Sequence, residues 1–257
     1  MPSISFSSAL QNEYRNLYKT MEIRPEKISA VENIMDALVS NKSRYEAVGD
    51  PLGVPWFVVG VIHNMESTRN FTRHLHNGDP LTARTVQYPP GRPASGTAPF
   101  TWEESATDAL KLKNFHRITN WSLPRILYKL EQYNGWGYRL YHPEVFSPYL
   151  WSFCNHYTSG KYAYDGVWDS NLTSQQCGAA VIIRRMEQLN IIAALEPEPS
   201  STIFSYSRSV EPHAEELQRF LNQFEGIALL VDGVPYKKTS EAVKKAFGFY
   251  LKGDRRS

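Results

Sequence analysis

The chain reads as a mainly α protein (α+β) built in two parts, and three observations predict this. Apolar residues recur at helical spacing through most of the first 195 residues. A stretch rich in Pro, Gly and Thr, 70–101, interrupts that pattern with a short β-like piece, LTARTVQY, which predicts a small β-hairpin or irregular loop. A run of proline, acid and serine, Glu196 to Thr202, has no apolar pattern and reads as a linker. The expected domains are therefore 1–196 and a small helical one, 203–257.

Residues 6–21 place Leu10, Tyr14, Leu17 and Met21 on one helical face, and 26–40 do the same with Ile28, Val31, Ile34, Met35 and Leu38. Pro25 marks the start of the second helix. A shorter helix is expected over Lys42–Val48, then a turn at 49–53. Val54 to Ile62 is apolar on every side, which predicts a buried helix, with Pro55 in its first turn, where a missing N–H costs nothing. Thr101 followed by Glu104 fits a capping box opening another helix. Ser122-Leu123-Pro124 opens the next, over Ile126–Gln132. Residues 152–170 read as a loop, and Thr173–Leu195 as a helix closing the first domain. In the last segment, 215–222 and the stretch after Thr239 read as helices, with Asp232-Gly233 as a turn and Thr239 as a cap.

Composition sets limits. The net charge of +2 is too small, and the Lys and Arg residues too scattered, to argue for nucleic acid. No apolar run approaches the roughly 20 residues of a membrane span. Two cysteines, Cys154 and Cys177, imply no disulfide framework and leave their pairing open. The N-terminal sequence lacks a basic segment followed by an apolar core, so synthesis in the cytoplasm without a secretory signal is expected. Thirteen per cent aromatic residues, with six Trp and fifteen Tyr, would suit sugar stacking, although aromatics serve cores more often.

The chemistry-bearing candidates follow the buried helix. Glu66 falls at its end, where an apolar wall would raise the carboxyl pKa and keep the proton a general acid needs. Asp79, thirteen residues on in a Gly-Asp-Pro turn, would be wetter and stay ionised. Two carboxylates driven apart in pKa suit glycoside cleavage; a Glu at a helix end is otherwise usually solvated. His63, His74 and His76 lie close in sequence but lack metal-ligand spacing, and solvated histidine is the default. Glu103 and Glu104 read as helix-capping acids, with Glu104 the reserve second carboxylate. No metal or organic cofactor is called for.

The segment SRYEAVGDPLGVPWFVVGVIHNMESTRNF resembles the part of goose-type lysozymes and soluble lytic transglycosylases that carries their catalytic Glu, where an apolar helix ends in Glu-Ser. Tyr133-Asn134-Gly135 resembles the Tyr-Asn-Gly motif of the same families. Glu144 with Tyr149 is similar to their Glu-Thr-x-x-Tyr-Val segment, with Pro148 interposed and a spacing of five where the family has four. The resemblance implies a lysozyme-like helical domain in which Glu66 is the acid, Asp79 the second carboxylate, and Ser67, Tyr133, Asn134 and Tyr149 line the sugar groove. It implies peptidoglycan glycan strands as the partner and cleavage of the β-1,4 bond between N-acetylmuramic acid and N-acetylglucosamine, by water or by the lytic route. A chitin-cleaving enzyme and a non-catalytic wall-binding or virion component are the other readings. Leu217-Gln218, Leu221, Asp232-Gly233, Thr239 and Ala242-Val243 resemble the three-helix peptidoglycan-binding domain found beside wall hydrolases, with Tyr236 where that family has Gly. An enzyme of this kind would act on the wall after release or from a virion.

Overall fold

The computed structural model describes residues 4–164, 166–196 and 204–256. Among these residues the chain is mainly helical, with one two-stranded antiparallel sheet. It divides into two compact units, Met1–Leu195 and Glu196–Ser257. The expected linker, apart from Glu196, lies outside the described residues.

In the first unit, α1 (Ser8–Lys19), α2 (Ile28–Ser40) and α3 (Lys42–Gly49) precede the central helix α4 (Trp56–Ser67). Every α4 residue from Phe57 to Met65 is buried, as an all-apolar helix requires. Helices α2 and α3 pack on it, together with α9 (Ala179–Gln188). Gly60 allows this close approach, because a Cβ there would meet the Tyr45 ring at 3.1 Å and Leu38 at 3.4 Å. Pro55 is the N-cap of α4, one residue ahead of the expected first turn.

Helix α5 (Trp102–Leu112) opens with the expected capping box, Thr101 and Glu104 satisfying each other's backbone N–H groups. The reserve role for Glu104 as an active-site carboxylate loses ground here, since its Oε2 accepts from both the Thr101 N–H and hydroxyl on an exposed surface. Helix α6 (Leu123–Asn134) starts after Ser122 and packs on α1 and on the short α8 (Pro148–Trp151), which follows α7 (Gly137–Tyr141). Among the described residues no helix is long and apolar enough to cross a membrane.

Two elements differ from expectation, and a third takes the less regular of its two expected forms. Residues 70–101 form no strand, only an isolated bridge between Arg73 and Pro80, because prolines at 80, 89, 90, 93 and 99 remove ladder donors. The sheet is instead β1 (Lys161–Tyr164) paired with β2 (Val167–Asp169), in a stretch expected to be loop. Its strands carry Tyr162, Tyr164 and Trp168, residues that favour strands, and Gly166 at φ 76 permits the tight turn. The last helix of this unit, α9, covers only the middle of 173–195. It starts after Gly178, whose Cα lies so near the Leu150 carbonyl that a Cβ would sit 2.3 Å from it.

The second unit has α10 (Ala214–Leu221) and α11 (Lys237–Phe247) around a small core of Leu217, Leu221, Ala242, Val243 and Leu251. Gln218 organises it. Its buried amide donates to Asp232 Oδ1 at 2.7 Å, the Val234 carbonyl at 3.2 Å and Thr239 Oγ1 at 3.3 Å, while its Oε1 accepts from the Asp232 and Gly233 N–H groups, both at 2.9 Å. Thr239 is therefore not the cap of α11. It lies inside the helix, where the Gln218 network holds its hydroxyl, and Tyr236 takes the N-cap position without a side-chain bond.

Candidate active site

Glu66 occupies the last turn of α4, where the helix dipole and the apolar body of the helix both disfavour a negative charge. Part of its surface stays open, yet the carboxyl is enclosed by protein. Burial pushes its pKa up to about 7, against smaller opposing effects from a Tyr149 hydrogen bond and the Lys113 ammonium. Tyr149 Oη donates to Glu66 Oε1 at 3.0 Å. With one residue between them and the acid, Thr68 and Arg69 adopt left-handed φ values of 53° and 64°. Each costs a non-glycine residue about 1–2 kcal/mol, so local strain is stored beside the carboxyl.

Tyr133 is buried and donates from Oη to the Leu75 carbonyl at 2.7 Å, tying α6 to the loop that follows the acid. Burial, and then the Glu66 charge, raise its pKa well above the usual phenol range. Lys113, at the end of α5, stands over the Tyr133 ring at 4.9 Å. Burial lowers the Lys113 pKa and the Glu66 charge acts against that fall. Glu66, Tyr149, Tyr133 and Lys113 thus form one cluster drawn from three helices and the C-cap of a fourth.

Asp79 is brought to the same end of α4. Gly78, at φ 79, lies so close that a Cβ would meet the Glu66 carbonyl at 2.9 Å, so only glycine fits the turn. The Asp79 carboxylate nevertheless works on its own loop. Its Oδ2 accepts from the Val86 N–H at 2.8 Å, the Gln87 N–H at 3.0 Å and Asn77 Nδ2 at 3.1 Å. Burial pushes its pKa upward, but these donors outweigh it and hold the carboxyl below the ordinary value. Ser67 is also turned inward: buried, it donates to the His63 carbonyl at 3.3 Å, one helical turn back.

A cleft of about 580 Å³ is lined by Asn134, Tyr138, Tyr141, Tyr149, Tyr162 and Gln176, among others. Glu66 is not among its lining residues; Tyr149 is, and it donates to the acid. Gln176, also in the lining, donates to the carbonyl of Met65, the residue before the acid, at 2.7 Å. The β1–β2 hairpin is pinned to α7 by rings: His142 stacks on Trp168 at 3.5 Å, and Tyr162 meets Tyr138 edge-on at 5.5 Å. Asn134 is exposed at the cleft, just before Gly135 ends α6 at φ 102. Glu144 is exposed and lies 3.6 Å from His142.

The histidines are not solvated, contrary to the default expectation. His63 is packed between Phe71 and Trp102, and burial lowers its pKa to about 4. His74 and His76 flank the buried Ser105 hydroxyl, and His76 also meets Asp108 at 2.8 Å. Among the described residues no group of three or more His, Cys, Asp or Glu is placed to hold a metal. Cys154 and Cys177 are buried free thiols.

Sequence reasoning missed Lys113, Gln176 and the hairpin aromatics. Tyr162 and Tyr164 alternate in the manner of a strand and are open to detection; Lys113 and Gln176 carry no local signal. Comparison with known proteins finds no matching family model, no similar curated protein and no similar solved structure.

Proposed function

We propose that the chain cleaves the β-1,4 glycosidic bond of peptidoglycan between N-acetylmuramic acid and N-acetylglucosamine, on a lysozyme-like first unit, with Glu66 as general acid. The observation that carries this reading is the enclosed Glu66 carboxyl, with its pKa near 7 and Tyr149 as its hydrogen-bond donor. A carboxyl in that state holds a proton at neutral pH and can pass it to a leaving oxygen, an effect of about 10²–10⁴-fold in rate. The tyrosine-rich cleft beside it, with the Asn134 amide at its edge, suits sugar rings and an N-acetyl group. Tyr149 positions the acid, and Tyr133 fixes the loop carrying Asp79.

The Asp79 carboxylate favours a second reading of the chemical step. With Oδ2 already accepting three hydrogen bonds, Asp79 is suited to ordering the 77–87 loop. Attack by the substrate's own 6-hydroxyl, the lytic route, then replaces attack by an Asp-oriented water. The second unit, with its Gln218-centred turn, is assigned wall binding on its sequence resemblance.

The test applies purified protein and a Glu66→Gln variant to bacterial sacculi while turbidity and released muropeptides are followed. Clearing by the wild type alone supports the acid; anhydro-muramyl ends mark the lytic route and reducing ends mark hydrolysis. Equal clearing by both proteins rejects Glu66. Tight pelleting without clearing supports a binding protein instead, and removal of 203–257 is expected to weaken pelleting.

A further inference from the structure

A second cavity, of about 160 Å³, lies in the first unit and has no part in the chemistry above. Its polar wall is Glu13, Glu131, Arg139 and Ser147; Phe146 and Trp151 contribute to its apolar wall. Several water volumes fit such a space. We propose that this cavity binds a small organic ammonium ion.

Two polar atoms of the lining, Glu13 Oε1 and Ser147 Oγ, lack a hydrogen-bond partner. Arg139 Nε is engaged by Glu131 Oε2 at 2.8 Å, and its Nη1 lies 2.8 Å from Glu13 Oε1. Glu131 Oε2 also receives the Tyr14 hydroxyl at 2.5 Å. The Glu13 Oε1 contact is an ion pair without hydrogen-bond alignment, so this buried oxygen keeps its accepting capacity. Ser147 is 3% exposed, and its Oγ has no hydrogen-bond partner. It precedes Pro148 at the start of α8 yet makes no capping bond, which leaves the hydroxyl to the cavity it lines.

Two carboxyl groups share one guanidinium, a formal excess of one negative charge that burial of Glu131 opposes by raising its pKa, so Glu13 is the carboxylate left to meet a ligand. Buried charge is stable when paired and hydrogen-bonded, so the complement is a cation that donates. An alkylammonium meets each demand: its N–H groups reach Glu13 Oε1 and Ser147 Oγ, and its charge balances the Glu13 carboxylate. Its short alkyl part packs on Phe146 and Trp151, whose ring faces also attract a cation.

The experiment is calorimetric titration of the full chain with ethylammonium chloride, with sodium chloride and ethylene glycol as controls. The wild type is expected to bind ethylammonium saturably and neither control. Glu13→Gln, at a partly exposed position that tolerates change, is expected to weaken binding about tenfold or more, as loss of one charged hydrogen-bond acceptor implies. Ser147→Ala is expected to weaken it less and to raise the melting temperature of the free protein, since it removes an unpartnered buried hydroxyl. Absence of saturable heat, equal binding by Glu13→Gln, or equal binding of the neutral diol overturns the proposal. None of these readouts depends on glycan cleavage.

Discussion

Replacing Glu66 with Gln is expected to stabilise the first unit at pH 8 and to change little at pH 4. The Glu66 carboxyl has an ordinary value of 4.5 and is pushed up to about 7 by burial in the fold. The folded protein therefore holds this proton more tightly than the unfolded chain. Below about pH 4.5 both states are protonated and the fold carries no penalty. As pH rises toward 7 the unfolded chain releases the proton first, and native stability falls. Above 7 the loss is complete. At about 1.4 kcal/mol per tenfold change in proton affinity, the gap from 4.5 to about 7 amounts to roughly 3 kcal/mol. The opposing effects of Tyr149 and Lys113 are already contained in that net value. A neutral Gln of the same shape escapes this cost and keeps an oxygen for the Tyr149 hydroxyl. Urea unfolding of both proteins at pH 4 and pH 8 measures the difference. A stability gain that is the same at both pH values, or a loss at pH 8, would refute the reasoning.

Further outcomes follow from single contacts. Tyr149→Phe removes the donor that favours ionised Glu66, so the alkaline limb of the cleavage pH profile is expected to move to higher pH; an unmoved limb counts against the contact. Gln218→Leu leaves the Asp232 and Gly233 N–H groups without their acceptor, and is expected to destabilise the second unit by about 2–4 kcal/mol, read by hydrogen exchange at those amides. Thr101→Ala breaks the capping box and is expected to cost about 1 kcal/mol in the same urea assay.

Local chemistry was legible in the sequence. An apolar run with no polar face foretold a buried helix, and α4 is buried along nearly its whole length. Thr101 with Glu104 foretold its cap, because both partners lie within one turn. Contacts between distant segments were less legible. Tyr149 reaches Glu66 across 83 residues, and Lys113 and Gln176 approach it from a helix end and a loop, where no periodicity marks which neighbour a side chain will meet. Ser67 and Thr239 take unexpected places for a shared reason. Each hydroxyl is turned inward by the burial of its own helix, and sequence position alone does not reveal that direction. Of the two forms expected for 70–101 the irregular loop is found, because the β-like piece at 81–88 is followed closely by prolines, and the strands form at 161–169, where loop is expected.

The most direct measurement is a carbon-13 NMR titration of the Glu66 side-chain carboxyl, assigned by comparison with Glu66→Gln. Midpoints near 7 in the native protein and near 4.5 in denaturant are predicted. A native midpoint at or below 4.5 would mean that the carboxyl is already ionised at neutral pH, and position 66 could not supply the proton.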